Sequence, residues 1–213
     1  MRDIFITGGT GYVGRRLIPE LQRRGHAVRA LVRAGSEHKL PAGYQAVVGD
    51  ALECASFAAH VSPADTFIQL VGVPHPSPAK AEQFRSIDLR SIRASVEAAV
   101  AARVRHFIYV SVAQPAPVMK DYIEVRAEGE RLIGESGLKA TVLRPWYVLG
   151  PGHRWPHLLR PAYAVLERLP STRDTARRLG LVTLRQMVAA LADSVETVPD
   201  ELRIIGVPEI RRY

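Results

Sequence analysis

Gly8, Gly9, Gly11 and Gly14 stand within seven residues, directly after the apolar run Ile4-Phe5-Ile6 and directly before a segment, 15–24, that reads as an amphipathic helix closed by Gly25. No other feature of the chain limits its fold so tightly. A buried strand that turns this sharply into a helix needs residues without a Cβ: for the turn itself, for close approach of backbone to a ligand, and for a helix packed hard against the sheet. The spacing satisfies G-x-G-x-x-G from Gly9 and G-x-x-G-x-x-G from Gly8. Between a strand and a helix, that turn aims unpaired N–H groups and the positive helix end at an anion, and the expected anion is the pyrophosphate of a dinucleotide. A tight turn without a ligand is the plain alternative.

The remaining chain alternates in the same rhythm. Residues 27–32, 44–48, 67–71, 106–110 and 140–143 read as further strands, and 79–102 and 119–136 as helices; Phe84, Ile87, Ile92, Val96 and Val100 mark the apolar stripe of the first of these. The expected fold class is α/β, a Rossmann-type doubly wound parallel sheet with helices on both faces and a small C-terminal cap. From Trp146 the texture changes, with Pro151, Pro156, Pro161 and Pro170 breaking the chain and a second tryptophan at Trp155. Residues 1–213 are therefore expected to form one domain, with 1–145 as core and 146–213 as a substrate-facing cap. That last part also carries a short helix near 184–194 and a final strand, 202–205, at one sheet edge.

Composition excludes several classes. At 213 residues the chain has room for one sizeable core, its hydrophobic content of 47% is that of a globular protein, and no apolar run reaches the roughly 20 residues of a membrane span. No export signal is read at the start, so the expected location is cytoplasmic. Cys54 is the one cysteine, which rules out an intramolecular disulfide. The net charge of +8 raises the question of nucleic acid, but the basic pairs Arg15-Arg16, Arg23-Arg24, Arg177-Arg178 and Arg211-Arg212 lie on different elements and do not interleave with aromatics. A solvated basic surface is the expectation, with no nucleic-acid partner. His153 and His157 have helical i, i+4 spacing but no third ligand beside them, so no metal site is expected. His75 reads as an exposed residue of a proline-rich loop.

In an open parallel sheet, ligands bind beyond the carboxyl ends of the strands, which directs attention to the residues there. Arg33 ends the second strand, nineteen residues after Gly14, where an acid would hold the ribose hydroxyls of NAD and an arginine suits the extra phosphate of NADP. With Arg15, Ser36 and Lys39 nearby in sequence, the charge logic favours NADP over NAD; an ordinary surface arginine is the alternative. Asp50 has two equal readings, a cap on the following segment or a contact to the adenine amino group. The candidate cofactor contacts are Gly8, Thr10, Gly11, Tyr12, Val13 and Gly14 in the turn, then Arg33, Asp50, Val71, Gly72 and Arg126.

With these elements in place the chain resembles the short-chain dehydrogenase/reductase superfamily, in particular its extended and atypical NAD(P)-binding members related to nucleotide-sugar epimerases and to nitrogen-regulator-like proteins. The resemblance spans residues 3–152 and rests on Thr7-Gly-Gly-Thr-Gly-Tyr-Val-Gly14, Gly49-Asp50, Tyr109-Val-Ser111, Tyr122-x-x-x-Arg126, 127–133 and Leu143-Arg-Pro-Trp-Tyr-Val-Leu-Gly-Pro-Gly152. It implies a tyrosine that exchanges a proton with substrate, assigned to Tyr122, and a lysine one turn later that binds the nicotinamide ribose and lowers the phenol's pKa. Arg126 stands at the lysine's position, a departure that is not conservative at a tuned site. Ser111 is the implied partner of the substrate oxygen; the bland readings are a packing role for Tyr122 and a strand-end cap for Ser111.

Two functions follow as expectations. One is an NADP-dependent oxidoreductase or epimerase-like enzyme acting on a small molecule; the other is a protein of the same fold that binds NADP(H) for sensing or assembly without turnover. The sequence leaves room for a homodimer.

Overall fold

The computed structural model describes residues 1–40, 44–151, 166 and 169–213. In chain order the elements are β1 (Asp3–Thr7), α1 (Gly14–Arg23), β2 (Ala27–Val32), β3 (Gln45–Val48), β4 (Thr66–Gln69), α2 (Ala81–Gln83), α3 (Arg90–Ala101), β5 (His106–Val110), α4 (Lys120–Glu135), β6 (Ala140–Arg144) and β7 (Tyr147–Leu149). They continue as α5 (Arg173–Arg178), β8 (Leu181–Thr183), α6 (Leu184–Glu196), β9 (Leu202–Gly206) and α7 (Val207–Ile210). Between α2 and α3 the helix widens into a π-helical stretch, Phe84–Leu89.

Seven strands form one parallel sheet in the order β3-β2-β1-β4-β5-β6-β9, and β7 pairs with β8 in a separate parallel ribbon. The order runs one way from β1 to β3 and the other way from β4 onward, so the chain reverses direction between β1 and β4. The crevice at that switch point is where such a sheet binds ligands. Register fixes what meets there: Thr7 lies opposite Gln69, placing the glycine turn next to Leu70 and Val71.

Both sheet faces are covered, as the uninterrupted apolar strands require. One face packs Ile4 and Ile6 against Leu17, Ile18 and Leu21 of α1 and Met187, Ala190, Leu191 and Val195 of α6. The other packs Phe5, Phe67 and Phe107, neighbouring rings 5.3 Å apart, under Ile92, Ala98 and Ala99 of α3 and Ile133 of α4. Each buried Phe removes enough surface from water to contribute about 1.5–3 kcal/mol. Val100, read as part of the α3 stripe, is 44% exposed; the stripe continues instead through Ala98 and Ala99.

Beyond residue 145, the described residues also contribute to the layers around the sheet. A capping box, in which Thr183 Oγ1 accepts the Gln186 N–H (3.2 Å) and Gln186 Oε1 accepts the Thr183 N–H (2.9 Å), starts α6, whose apolar side then helps to cover the sheet. β9 pairs with β6 as the sheet's edge strand, leaving Leu202 and Ile204 about two-fifths exposed (40% and 41%). His153, Trp155, Pro156, His157 and Pro161 lie outside the described residues.

Candidate functional site

The glycine turn is closed by backbone. Gly8 has φ +77°, which a side chain resists, and a Cβ there would lie 2.8 Å from the Leu70 carbonyl carbon and 2.9 Å from the Val71 nitrogen. Gly11 donates its N–H to the Gly8 carbonyl at 2.9 Å. A Cβ on Gly14 would meet the Gly8 oxygen at 2.5 Å and Gly9 Cα at 2.6 Å, so Gly14 lets α1 sit directly on the turn. At the start of α1, Val13 makes no side-chain cap and the first turn carries no acid, which leaves the helix's positive end uncompensated. These residues fit a pyrophosphate.

From the turn a groove of about 420 Å³ runs across the strand ends. Gly8, Thr10, Gly11, Arg33, Asp50, Val71 and Gly72 all line it, so seven of the sequence-selected cofactor residues meet in one place. Arg33 is exposed, its carbonyl held by the Ser36 N–H (2.9 Å), and Ser36 lines the groove with it. Among the described residues no ion pair engages Arg33. Asp50 Oδ1 accepts the Leu52 N–H (2.9 Å) and its own N–H goes to Ser56 Oγ (2.9 Å), so Asp50 shapes its turn while also facing the groove. Arg15 and Lys39 are not among the groove-lining residues; with Tyr12 and Arg16 they line a separate recess of about 360 Å³. Val13 packs onto the core, and Gly14, the first residue of α1, lies against the backbone of Gly8 and Gly9.

Tyr122, Arg126 and Ser111 are absent from the groove lining among the described residues. Arg126 is 5% exposed. Its Nη2 meets Asp88 Oδ1 at 2.5 Å, its Nη1 donates to the Val110 carbonyl at 2.9 Å and to Tyr109 Oη at 3.3 Å, and its guanidinium lies over the Tyr122 ring, 5.1 Å from the centroid. Burial alone would lower the arginine's pKa, but Tyr109, Tyr122 and Asp88 outweigh it and hold the cation. Asp88, 1% exposed, is pushed above the ordinary carboxylate range by burial, against the pull of Arg126.

Tyr122 packs its ring on Phe84, centroids 4.9 Å apart, in a small cluster with Val73, Val125 and Ile87. Val73 and Ile87 also line the groove, so the tyrosine sits behind the groove wall. Burial raises its pKa and Arg126 only partly offsets that, leaving a neutral phenol at physiological pH. Ser111 Oγ donates to Glu130 Oε1 at 2.5 Å, and the same carboxylate accepts from Gln114 Nε2 (3.0 Å) and Arg144 Nε (3.0 Å). Ser111 therefore anchors a buried network on α4 and makes no bond to Tyr122 within the described residues.

Asp88 and Glu130 are the residues that reading the sequence passed over. A signal for Asp88 was present: with Phe84 and Ile92 it forms an i, i+4, i+8 line on the buried helix face, where an unpaired acid is costly.

The parallel sheet, its switch-point groove and the backbone cradle define a Rossmann-type fold with a dinucleotide-binding site at the strand ends. The chain belongs to the NAD(P)H-binding family, whose model matches residues 8–156. It is similar to a ceramide reductase of Caulobacter vibrioides, 29% identical over 211 residues that cover 98% of this chain and 65% of that protein. It is likewise similar to a 3-diazoavenalumate denitrifying reductase of Streptomyces sp, 31% identical over 222 residues that cover 91% of this chain and 72% of that protein. A short-chain dehydrogenase/reductase superfamily protein from Agrobacterium tumefaciens, solved with bound NAD, shares the fold with a TM-score of 0.69 at 18% identity, covering 96% of this chain and 77% of that one. Within the described residues no helix is long and apolar enough to cross a membrane.

Proposed function

We propose that this chain binds NADP(H) in preference to NAD(H) and acts as an oxidoreductase that reduces a small organic substrate. The observation that carries the preference is Arg33, exposed, without an ion-pair partner among the described residues, and lining the groove beside Ser36 where an acid would favour NAD. A guanidinium there offers a planar fork to a phosphate monoester. The reduced dinucleotide supplies a hydride when bound. The protein's own contribution is to hold the pyrophosphate on the Gly8–Gly14 turn, to seat the far ribose near Val71 and Gly72, and to offer the neutral Tyr122 phenol, behind the groove wall at Val73 and Ile87, as proton donor. Both relatives described above are reductases by name, which favours reduction over epimerisation; the chain spans 65% of the first relative's length, so the substrate is left to experiment.

The test is a fluorescence titration of the purified chain with NADPH and NADH. NADPH is expected to bind at least about tenfold more tightly, and Arg33→Ala to erase the difference, as loss of a charge-assisted phosphate contact predicts. Equal affinity for the two in the unaltered chain would overturn the assignment. A second reading, cofactor binding without turnover, draws on the engagement of Arg126 by Asp88. It is separated by NADPH oxidation over a panel of ketones and activated alkenes: turnover that falls in Tyr122→Phe excludes it, and binding with no turnover on any of them supports it.

A further inference from the structure

We propose that Asp88 and Arg126 form a buried clasp that positions the Gly72–Val73 segment at the nicotinamide end of the groove, acting on the cofactor through backbone without touching it. The inference rests on the dinucleotide reading above.

Four segments converge on this pair. Asp88 lies on the π-helical stretch, and such bulges recur at functional sites. Its Oδ2 accepts the Val73 N–H at 2.9 Å, in the loop after β4, while Oδ1 meets Arg126 on α4. Arg126 in turn holds the Val110 carbonyl at the end of β5. The Asp88 carbonyl accepts Ser91 Oγ at 3.0 Å, and Ser91 Oγ accepts Gln69 Nε2 at 3.0 Å, so the bulge is also tied to the end of β4.

Gly72 shows how closely the loop is drawn onto the clasp. A Cβ at that position would stand 2.3 Å from Arg126 Nη2 and 3.2 Å from Asp88 Oδ1, so the groove-lining backbone lies directly on the ion pair. To reach a ribose, the guanidinium would have to leave Asp88 and the Val110 carbonyl together. It is tied where it is.

A net gain in stability does not explain the arrangement, because desolvating two charges offsets most of their attraction and an apolar pair serves as well. Geometry does explain it. The guanidinium fork bonds an acid on one helix and a carbonyl on a strand at once, and a lysine ammonium cannot span both with the same planar aim. Asp88 and Arg126 are positioning residues in this account, and the lysine's contact with ribose is absent from it.

The experiment compares two ligands in Asp88→Asn, Arg126→Met and Arg126→Lys: NADPH, and adenosine bisphosphate, which carries the phosphates of the Arg33 side but no nicotinamide half. The first two variants are expected to weaken NADPH about tenfold, the effect of one lost charge-assisted bond, and to leave adenosine bisphosphate within about twofold. Arg126→Lys, which keeps the charge, recovers part of the NADPH loss and stands in for the comparison if Asp88→Asn fails to fold. Amide hydrogen exchange at Val73, which needs no ligand, is expected to quicken in Asp88→Asn. The clasp is overturned if NADPH affinity and Val73 protection are unchanged, or if both ligands weaken equally. Failure of the unaltered chain to bind either ligand removes the cofactor reading instead, and the Val73 amide then decides the clasp alone.

Discussion

At its Arg33 end the groove is made of backbone and exposed side chains: Gly8, Gly11, Gly49 and Asp50, with Arg33 facing solvent. At its Gly72 end it rests on an interior of charged and aromatic side chains, Asp88, Arg126, Tyr109 and Tyr122, brought in from three separate elements. The first end is rigid because glycines leave no room for adjustment. The second is rigid because every polar atom of one acid is held. A backbone-made site fails when a Cβ is added, whereas a side-chain-made site fails when a partner is removed, and the two respond differently to substitution.

The sharpest way to break that comparison is to add one methyl group at each end. In Gly14→Ala the new Cβ meets backbone atoms of Gly8 and Gly9 at 2.5–2.6 Å, and neither can move without reopening the turn. The expected cost is about 3 kcal/mol or more in urea unfolding, with NADPH binding lost. In Gly72→Ala the obstacle is the end of a side chain, so Arg126 can shift at the expense of its bond to Asp88, for about 1–2 kcal/mol. Equal costs at the two positions would show that the Gly72 end is as backbone-locked as the turn.

A smaller effect is expected from pH, and it concerns the Gly72 end alone. Burial pushes Tyr109 up to about 12, ahead of the opposing pull of Arg126, and raises Tyr122 as well. For a phenol held protonated by the fold, the native state binds more protons than the unfolded chain between the two pKa values. Stability is therefore full below about pH 10 and declines as the solution is raised toward about pH 12. Tyr122, as a proton donor, stays protonated and neutral across the neutral range, so a reduction that uses it has no alkaline limb between about pH 6 and pH 9. A rate that falls within that window, and loses the fall in Tyr122→Phe, would mean a phenol acidified by Arg126, in conflict with the clasp.

The contrast also explains what could be read from the sequence. The turn was legible because its requirement is local: Ile4-Phe5-Ile6, four glycines and an amphipathic helix are contiguous, and their physics needs no distant partner. The parallel sheet was legible for the same reason, strand by strand, and the final strand expected at 202–205 lies beside β6 at the sheet edge, where it spans 202–206. Arg126 was singled out by the family resemblance, four positions after Tyr122, yet its partner was invisible, since Asp88 lies 38 positions earlier on another helix. Ser111 shows the same limit. Its place after β5 suggested contact with a ligand, and only the fold brings Glu130, Gln114 and Arg144 to it. Spacing reveals which face a residue occupies; what waits across the gap is a tertiary fact.

Asp50 gives the smallest expected effect and decides a question at the Arg33 end. Its Oδ1 accepts the Leu52 N–H in an exposed turn, so Asp50→Ala should cost about 0.5–1 kcal/mol of stability, near the lower range for such a bond, measured by urea unfolding. If shaping that turn is its whole role, NADPH and its hypoxanthine analogue, whose purine has a carbonyl in place of the adenine amino group, lose affinity equally in the variant. If the carboxylate also accepts a bond from the amino group, NADPH weakens by about fivefold and the analogue does not, because only the amino group had a bond to lose. An effect on the natural cofactor alone would give this end one side-chain contact to set beside Arg33. An equal effect leaves it to backbone and a single arginine.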